Sequence, residues 1–231
     1  MQVDRRQGKS LKYLVLTPDA YSPDQTYPLV ILLHGFGASM ADLAGLCPTI
    51  NPDGYVYVCP NAPLSIELGP GMAGYAWMSP GNARRPEEAQ LAEEMLDTMF
   101  EEVSGEFRVE PGQSVLGGFS QGGMMTYRWG LANPDRFRGL VVLSGRVSDP
   151  DGIRSRLPAS RTQPIFVAHG RQDSMITIED AAESRSFLEA EGYSPQYKDY
   201  SMGHEISQEV LDDLVPWIRG VLTPAGSAPG Q

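Results

Sequence analysis

Strand-like and helix-like segments alternate along this 231-residue chain, which predicts an α/β fold with a mostly parallel central sheet and helices on both faces. Two further observations support that architecture. Gly139–Ser144 and Pro164–Ala168 are near-continuous apolar runs, as expected of parallel strands covered on both sides. Val115–Phe119 leads through Ser120 into a helix-compatible run that starts near Gln121, giving a strand, a sharp turn and a helix.

Taken in order, Ser10–Thr17 and Tyr27–Leu33 are β-branched or apolar runs separated by a Pro/Asp/Ser turn, Thr17–Gln25. They read as strands that could pair directly. Tyr55–Cys59 is a short strand stopped by Pro60. Ala62–Arg85 holds Gly69, Gly71, Gly74, Gly81 and Trp77, and reads as a long irregular loop. Pro86–Val103 is an amphipathic helix with Leu91, Met95, Met99 and Phe100 on one face and Glu93, Glu94, Glu101 and Glu102 largely on the other. Pro86 suits its first turn, where the missing N–H costs nothing. Helices are also predicted over Ile178–Glu191 and Gln208–Val221. Residues 1–222 are expected to form a single domain with no large lid. The Pro/Gly/Ala/Ser-rich tail Thr223–Gln231 is expected to be disordered.

A formal net charge of −11 with no basic cluster argues against nucleic acid and anionic membranes as partners. No run approaches the ~20 apolar residues that span a bilayer, so no membrane insertion is expected. Met1–Gln7 lacks an apolar segment that could serve as a signal peptide, and the expected location is cytoplasmic. Cys47 and Cys59 are too few for a disulfide framework and are expected to be free, buried thiols.

Gly118-Phe119-Ser120-Gln121-Gly122 is a GxSxG motif, a pattern common by chance. Its weight comes from its context, because a serine at a strand-to-helix apex is held in a strained conformation with its hydroxyl exposed. A serine hydroxyl needs a base within hydrogen-bond reach, and the base needs an orienting acid. The chain has three histidines. His34 and His169 end strands, and His34 reads as structural. In this architecture serine precedes acid and acid precedes histidine, so only His204 leaves room for an acid between them. Asp173, just past the Pro164–Ala168 strand, is the preferred acid. Asp180, inside a predicted helix, and Asp199, at a late strand, are its rivals. The turn after Leu32-Leu33-His34-Gly35 points to an oxyanion hole built from the Phe36 and Gln121 backbone N–H groups. The side chains there are not the active groups, so both positions should tolerate substitution. No cluster with metal-ligand spacing is present, and no metal is expected.

With these residues assembled, the chain resembles the phospholipase/carboxylesterase family of small α/β-hydrolases, which includes the acyl-protein thioesterases. The likeness runs from Leu14 to Ile218. It rests on Leu32-Leu33-His34-Gly35, Pro60-Asn61-Ala62-Pro63, Gly118-Phe119-Ser120-Gln121-Gly122-Gly123, Leu143-Ser144-Gly145, His169-Gly170 with Asp173, and Gly203-His204-Glu205. The resemblance implies the α/β-hydrolase fold, a triad of Ser120, Asp173 and His204, and ester or thioester hydrolysis without metal or cofactor. Ala76-Trp77 is followed by Met78-Ser79, where relatives often carry an aromatic or acidic residue. Phe36-Gly37-Ala38-Ser39 lacks the acidic residue common in thioesterases. Both departures favour a simple carboxylesterase. With no lid and only the Gly-rich Ala62–Arg85 stretch to cover the site, a shallow acyl site and short-chain esters are expected. The alternatives are an acyl-protein thioesterase, a lysophospholipase, a deacetylase of acetylated carbohydrate, and a non-catalytic binding protein on this scaffold. Trp77, with Met78 beside it, is read as lining the acyl pocket. The other reading makes Trp77 a loop anchor packed on the core, and both roles can hold together.

Overall fold

The computed structural model describes residues 1–70, 72–79 and 86–226. Its main sheet has eight strands: β1 (Gln2–Gln7), β2 (Lys12–Thr17), β3 (Leu29–Leu33), β4 (Val56–Pro60), β7 (Ser114–Phe119), β8 (Gly139–Leu143), β9 (Ile165–Gly170) and β10 (Gln196–Tyr200). The order is β1-β2-β4-β3-β7-β8-β9-β10. β1 and β2 join antiparallel to each other, and β2 antiparallel to β4; every pair from β4 to β10 is parallel.

The parallel strands read as apolar runs because both faces are covered. Along β3, Leu29, Ile31 and Leu33 enter one core cluster while Val30 and Leu32 enter the other, the two-residue period of a strand. The first cluster packs against α2 (Pro86–Phe107), and the second against α1 (Cys47–Ile50) and α6 (Gln208–Val221). A short α3 (Gln121–Met125) follows β7 and continues as a π-helical turn, Thr126–Gly130; α4 (Pro150–Arg154) and α5 (Ile178–Ala190) complete the α-helices among the described residues, and a 3-10 turn, Leu43–Leu46, precedes α1.

Several expectations are corrected. The first two predicted strands, now β2 and β3, do not pair, because β4 lies between them. All five residues of β4 are buried, so it needs a neighbour on each edge. The Ala62–Arg85 stretch is not an irregular loop. Its described part holds an antiparallel hairpin, β5 (Leu64–Gly69) and β6 (Met72–Ala76), whereas Gly71, Gly81 and the rest of 80–85 lie outside the described residues. In α2, Leu91 is exposed. Glu93 is buried, although it was assigned to the solvent face. Its carboxylate bonds Arg128 Nε at 3.0 Å and Arg156 Nη1 at 2.9 Å, the pairing a buried charge requires. Thr223–Gly226 of the predicted disordered tail is described: Ala225 N–H donates to Gly54 O at 2.9 Å, and the remainder lies outside the described residues. Cys47 and Cys59 are free and buried. No helix among the described residues is long and apolar enough to cross a membrane.

Candidate active site

Ser120 sits between β7 and α3 with φ 54° and ψ −116°, a conformation side chains avoid unless the surroundings enforce it. Two glycines leave space for it. A Cβ on Gly118 would meet Gly122 O at 2.2 Å across the turn, and one on Gly122 would meet Leu33 O of β3 at 2.0 Å. The turn is therefore pressed against the neighbouring strand as well as folded on itself. Ser120 N–H donates to Leu143 O at 2.8 Å, which ties the apex to the end of β8.

His204 and Asp173 complete a line of contacts. His204 Nε2 is 2.9 Å from Ser120 Oγ, and His204 Nδ1 is 2.7 Å from Asp173 Oδ2. Asp173 Oδ1 accepts the Met175 N–H at 2.8 Å and the Ile176 N–H at 2.9 Å. Burial pushes the Asp173 carboxyl up, but the hydrogen bond with His204 and these two backbone donors outweigh it, so its pKa lies below the ordinary value. An ionised acceptor there favours the His204 tautomer with its proton on Nδ1, leaving Nε2 free to accept from the serine. The loops bearing acid and base are stitched together beyond β9 and β10: Arg171 N–H donates to Tyr200 O and Gln172 N–H to Met202 O, at 2.9 and 3.1 Å.

The rival acids stand elsewhere. Asp180 forms a capping box with Thr177 at the start of α5 and pairs with Arg146 at 3.2 Å. Asp199 lies within β10, one strand away from the loop that carries Asp173. His169 is fully buried, and its Nε2 donates to Ile176 O at 2.8 Å, bracing the loop that holds Asp173. His34 is structural as expected. Its Nδ1 donates to Gly35 O at 2.7 Å, its Nε2 accepts the Ala62 N–H at 3.0 Å, and burial lowers its pKa against the Gly35 bond, which raises it.

Phe36 follows β3 and Gln121 opens α3, so their backbone N–H groups lie just beyond the ends of adjacent strands, on the side where Ser120 stands. Gly37 N–H donates to Tyr75 O and Tyr75 N–H to Ala38 O, both at 2.9 Å, so the base of the hairpin is laced to the Phe36 turn. Trp77 does not line a pocket. Its side chain is fully buried, and its indole N–H donates to His34 O at 2.9 Å, which makes it the anchor of the hairpin. Met78 is partly buried against the same core and presents its carbonyl to Gln121 Nε2 at 2.8 Å. Gln121 Oε1 accepts the Trp77 N–H at 2.7 Å, so the Gln121 side chain clamps the segment after β6. The expectation that Gln121 tolerates substitution overlooked this clamp. The available signal was a long polar side chain in a Gly- and Met-rich run where α3 must pack against the sheet.

Exposed apolar side chains stand beside these groups: Phe36 itself, Leu68 against Gly37, and Met175, whose N–H holds Asp173. A recess of about 500 Å³ opens elsewhere, lined by Arg6, Tyr21, Glu106 and Phe107, and contains none of the site residues. Among the described residues, no group of His, Cys, Asp and Glu could hold a metal ion.

The family model for phospholipase/carboxylesterase proteins matches residues 20–222, and the chain belongs to that family. A protein of Oryza sativa subsp. japonica named as a carboxylesterase is 28% identical over 224 residues, covering 90% of this chain and 83% of that protein. Acyl-protein thioesterase 1 of Kluyveromyces lactis is 27% identical over 214 residues, covering 84% and 92%. Among solved structures, esterase PE8 matches with a TM-score of 0.78 at 25% identity, over 96% of this chain and 100% of that one. A carboxylesterase of Bacillus cereus shares the fold at 17% identity and a TM-score of 0.76, over 92% and 95%. The architecture is that of the α/β-hydrolases.

Proposed function

We propose that this chain is a serine carboxylesterase that hydrolyses short-chain esters through an acyl-enzyme. The observation that carries the reading is the unbroken line from Ser120 Oγ through His204, 2.9 Å away, to the buried Asp173, 2.7 Å further on. Ser120 Oγ adds to the ester carbonyl carbon while His204 Nε2 takes its proton. Asp173 holds the ring in the correct tautomer and stabilises the imidazolium. The carbonyl oxygen, now negative, is received by the Phe36 and Gln121 N–H groups. Collapse expels the alcohol, protonated by His204, and water hydrolyses the acyl-enzyme by the same steps. The small ester is the only partner this chemistry requires. No step calls on a metal or cofactor.

An acyl group laid against Phe36, Leu68 and Met175 is covered on one side, because all three side chains are themselves exposed. Each buried methylene contributes ~0.8 kcal/mol, so the gain from a longer chain ends within a few carbons. Turnover is expected to favour acetate to about hexanoate among p-nitrophenyl esters, in line with that burial limit. A kcat/KM that climbs to decanoate would refute the short-chain reading. Likeness to acyl-protein thioesterase 1 of Kluyveromyces lactis supports thioesters as a second substrate class, tested by running acyl-CoA alongside. Ser120→Ala should lower kcat by about 10⁵–10⁶-fold and abolish labelling by a fluorophosphonate. A folded Ser120→Ala protein with a tenth of wild-type activity would sink the mechanism.

A further inference from the structure

We propose that the Gln121 side chain is a positioning residue that fixes the spacing of the two oxyanion donors through the base of the β5–β6 hairpin. The inference rests on the reading of Phe36 N–H and Gln121 N–H as those donors. The two groups belong to different segments. The strands that deliver them, β3 and β7, pair as far as Leu33 and Gly118, and both donors lie three residues past that point. Beyond the ladder, something else must set the distance between them.

Steric contact sets how close the segments come. Leu33 O would lie 2.0 Å from a Cβ on Gly122, and Ser120 Cβ lies 3.3 Å from the Cβ position of Gly35. Contact of this kind resists approach and leaves separation unopposed. Among the described residues, separation is opposed by hydrogen bonds that pass through residues 75–78. On the Phe36 side, Tyr75 exchanges two backbone bonds with Gly37 and Ala38, each 2.9 Å, and the Trp77 indole reaches His34 O at 2.9 Å. On the nucleophile side the joint is the Gln121 amide, which takes the Trp77 N–H at 2.7 Å and gives to Met78 O at 2.8 Å. These partners fix the amide orientation, because one offers only a donor and the other only an acceptor. The Trp77 bond is buried and the Met78 bond half-buried, with Gln121 itself 8% exposed. One residue therefore supplies a backbone N–H to the substrate oxygen and, through its side chain, holds the strut that reaches the other donor.

Two substitutions test this in the full chain. Gln121→Glu keeps the shape but replaces the donor with an oxygen that faces the Met78 carbonyl. Gln121→Met keeps the length and loses both bonds. Three quantities are read: kcat/KM for p-nitrophenyl acetate, the inhibition constant of an alkyl trifluoromethyl ketone, and that of acetate. The ketone's adduct with Ser120 places an oxyanion between the donors, whereas acetate binds without forming an adduct. The expected result is a fall in kcat/KM on the order of 10²-fold, the effect of an ångström-scale misplacement. The ketone should weaken by the same factor and acetate by no more than a few-fold. Tm tracks folding, and the isosteric Gln121→Glu supplies the answer if Gln121→Met does not fold. Folded variants with wild-type kcat/KM, or with losses equal for ketone and acetate, would overturn the proposal. Wild-type protein that neither hydrolyses esters nor takes the fluorophosphonate would instead overturn the underlying reading, and this inference with it.

Discussion

Replacing Gly122 with alanine puts a methyl group where α3 meets the end of β3. Its Cβ would lie 2.0 Å from Leu33 O, 2.6 Å from Leu33 C and 2.7 Å from His34 O. These are backbone atoms of a buried strand and have no rotamer through which to escape. Ordinary contact begins near 3.4 Å, so the helix start must retreat from the strand by more than an ångström. That helix start carries Ser120 and the Gln121 N–H, while the strand end carries the Phe36 N–H. The retreat opens the proposed oxyanion site and stretches the 2.9 Å contact between Ser120 and His204. Overpacking of this kind costs about 1–3 kcal/mol, and in a chain of this size each kcal/mol lowers Tm by roughly 2–4 °C. Activity should suffer more than stability, with kcat/KM falling on the order of 10²-fold, because the displaced groups are the reacting ones. The assay pairs thermal denaturation with hydrolysis of p-nitrophenyl acetate. Gly105→Ala and Gly220→Ala serve as controls, since no atom lies within 4 Å of their Cβ positions in α2 and α6. Both should match or slightly exceed wild-type stability, because alanine is favoured over glycine in a helix interior by roughly 0.5–1 kcal/mol. A Gly122→Ala protein with wild-type Tm and activity would refute the reasoning.

Asp173→Asn should lower kcat by on the order of 10⁴-fold, because a neutral amide no longer selects the His204 tautomer. The same variant should show a pH signature. The Asp173 pKa is depressed in the folded chain, so the carboxylate stabilises the fold above the unfolded value of about 3.9 and ceases to do so as pH falls through the lower folded value. The urea midpoint of wild type minus variant should be constant near neutrality and shrink in acid; a gap that widens in acid would contradict the assignment. Glu93→Leu should destabilise by about 3 kcal/mol, as Arg128 loses a buried partner, and leave the KM for p-nitrophenyl acetate unchanged. The loss lies at the low end of the roughly 3–5 kcal/mol that breaking a buried pair costs, because Arg128 keeps Asp149 at 3.1 Å. Unchanged stability in chemical denaturation would show that the pair contributes nothing net.

The three side chains that meet at Ser120, His204 and Asp173 were legible because each has a local cause. The elbow needs Gly118 and Gly122 for steric reasons that any tight strand-to-helix turn shares. His204 follows from chain order, since neither His34 nor His169 leaves room for an acid between the serine and itself. Asp173 follows from its place at the end of an apolar strand. Features that depend on partners distant in sequence were not legible. β1 has no apolar pattern because it is an edge strand whose residues are mostly exposed. The insertion of β4 between β2 and β3 is a tertiary choice invisible to periodicity. Glu93 looked like a solvent residue until Arg128 and Arg156 came to meet it. The hairpin was hidden by its glycines, which read as loop. Gly74, for one, is there because Gly37 O would lie 2.2 Å from a Cβ at that position.

These braces divide the site into two halves with separate supports. The acid and base are set by β9 and β10, whose backbone pairing continues into the loops, and Gly170 admits no Cβ because Gly203 O would lie 2.3 Å from it. The proposed nucleophile and oxyanion donors are set by β3, β7 and the hairpin base. The halves meet through the Ser120–His204 contact, the packing of Phe119 on the His204 ring at 4.8 Å, and β8, which lies between β7 and β9. Effects of damage to the two supports should therefore add when they are structural, since distant sites without shared partners act independently. They should not add in kcat, because attack requires both halves at once and the groups act as one unit. The fold thus separates what holds the site from what the site does: two local frameworks, joined through β8 and the Phe119–His204 packing, meet at a hydrogen bond that the proposed reaction itself uses.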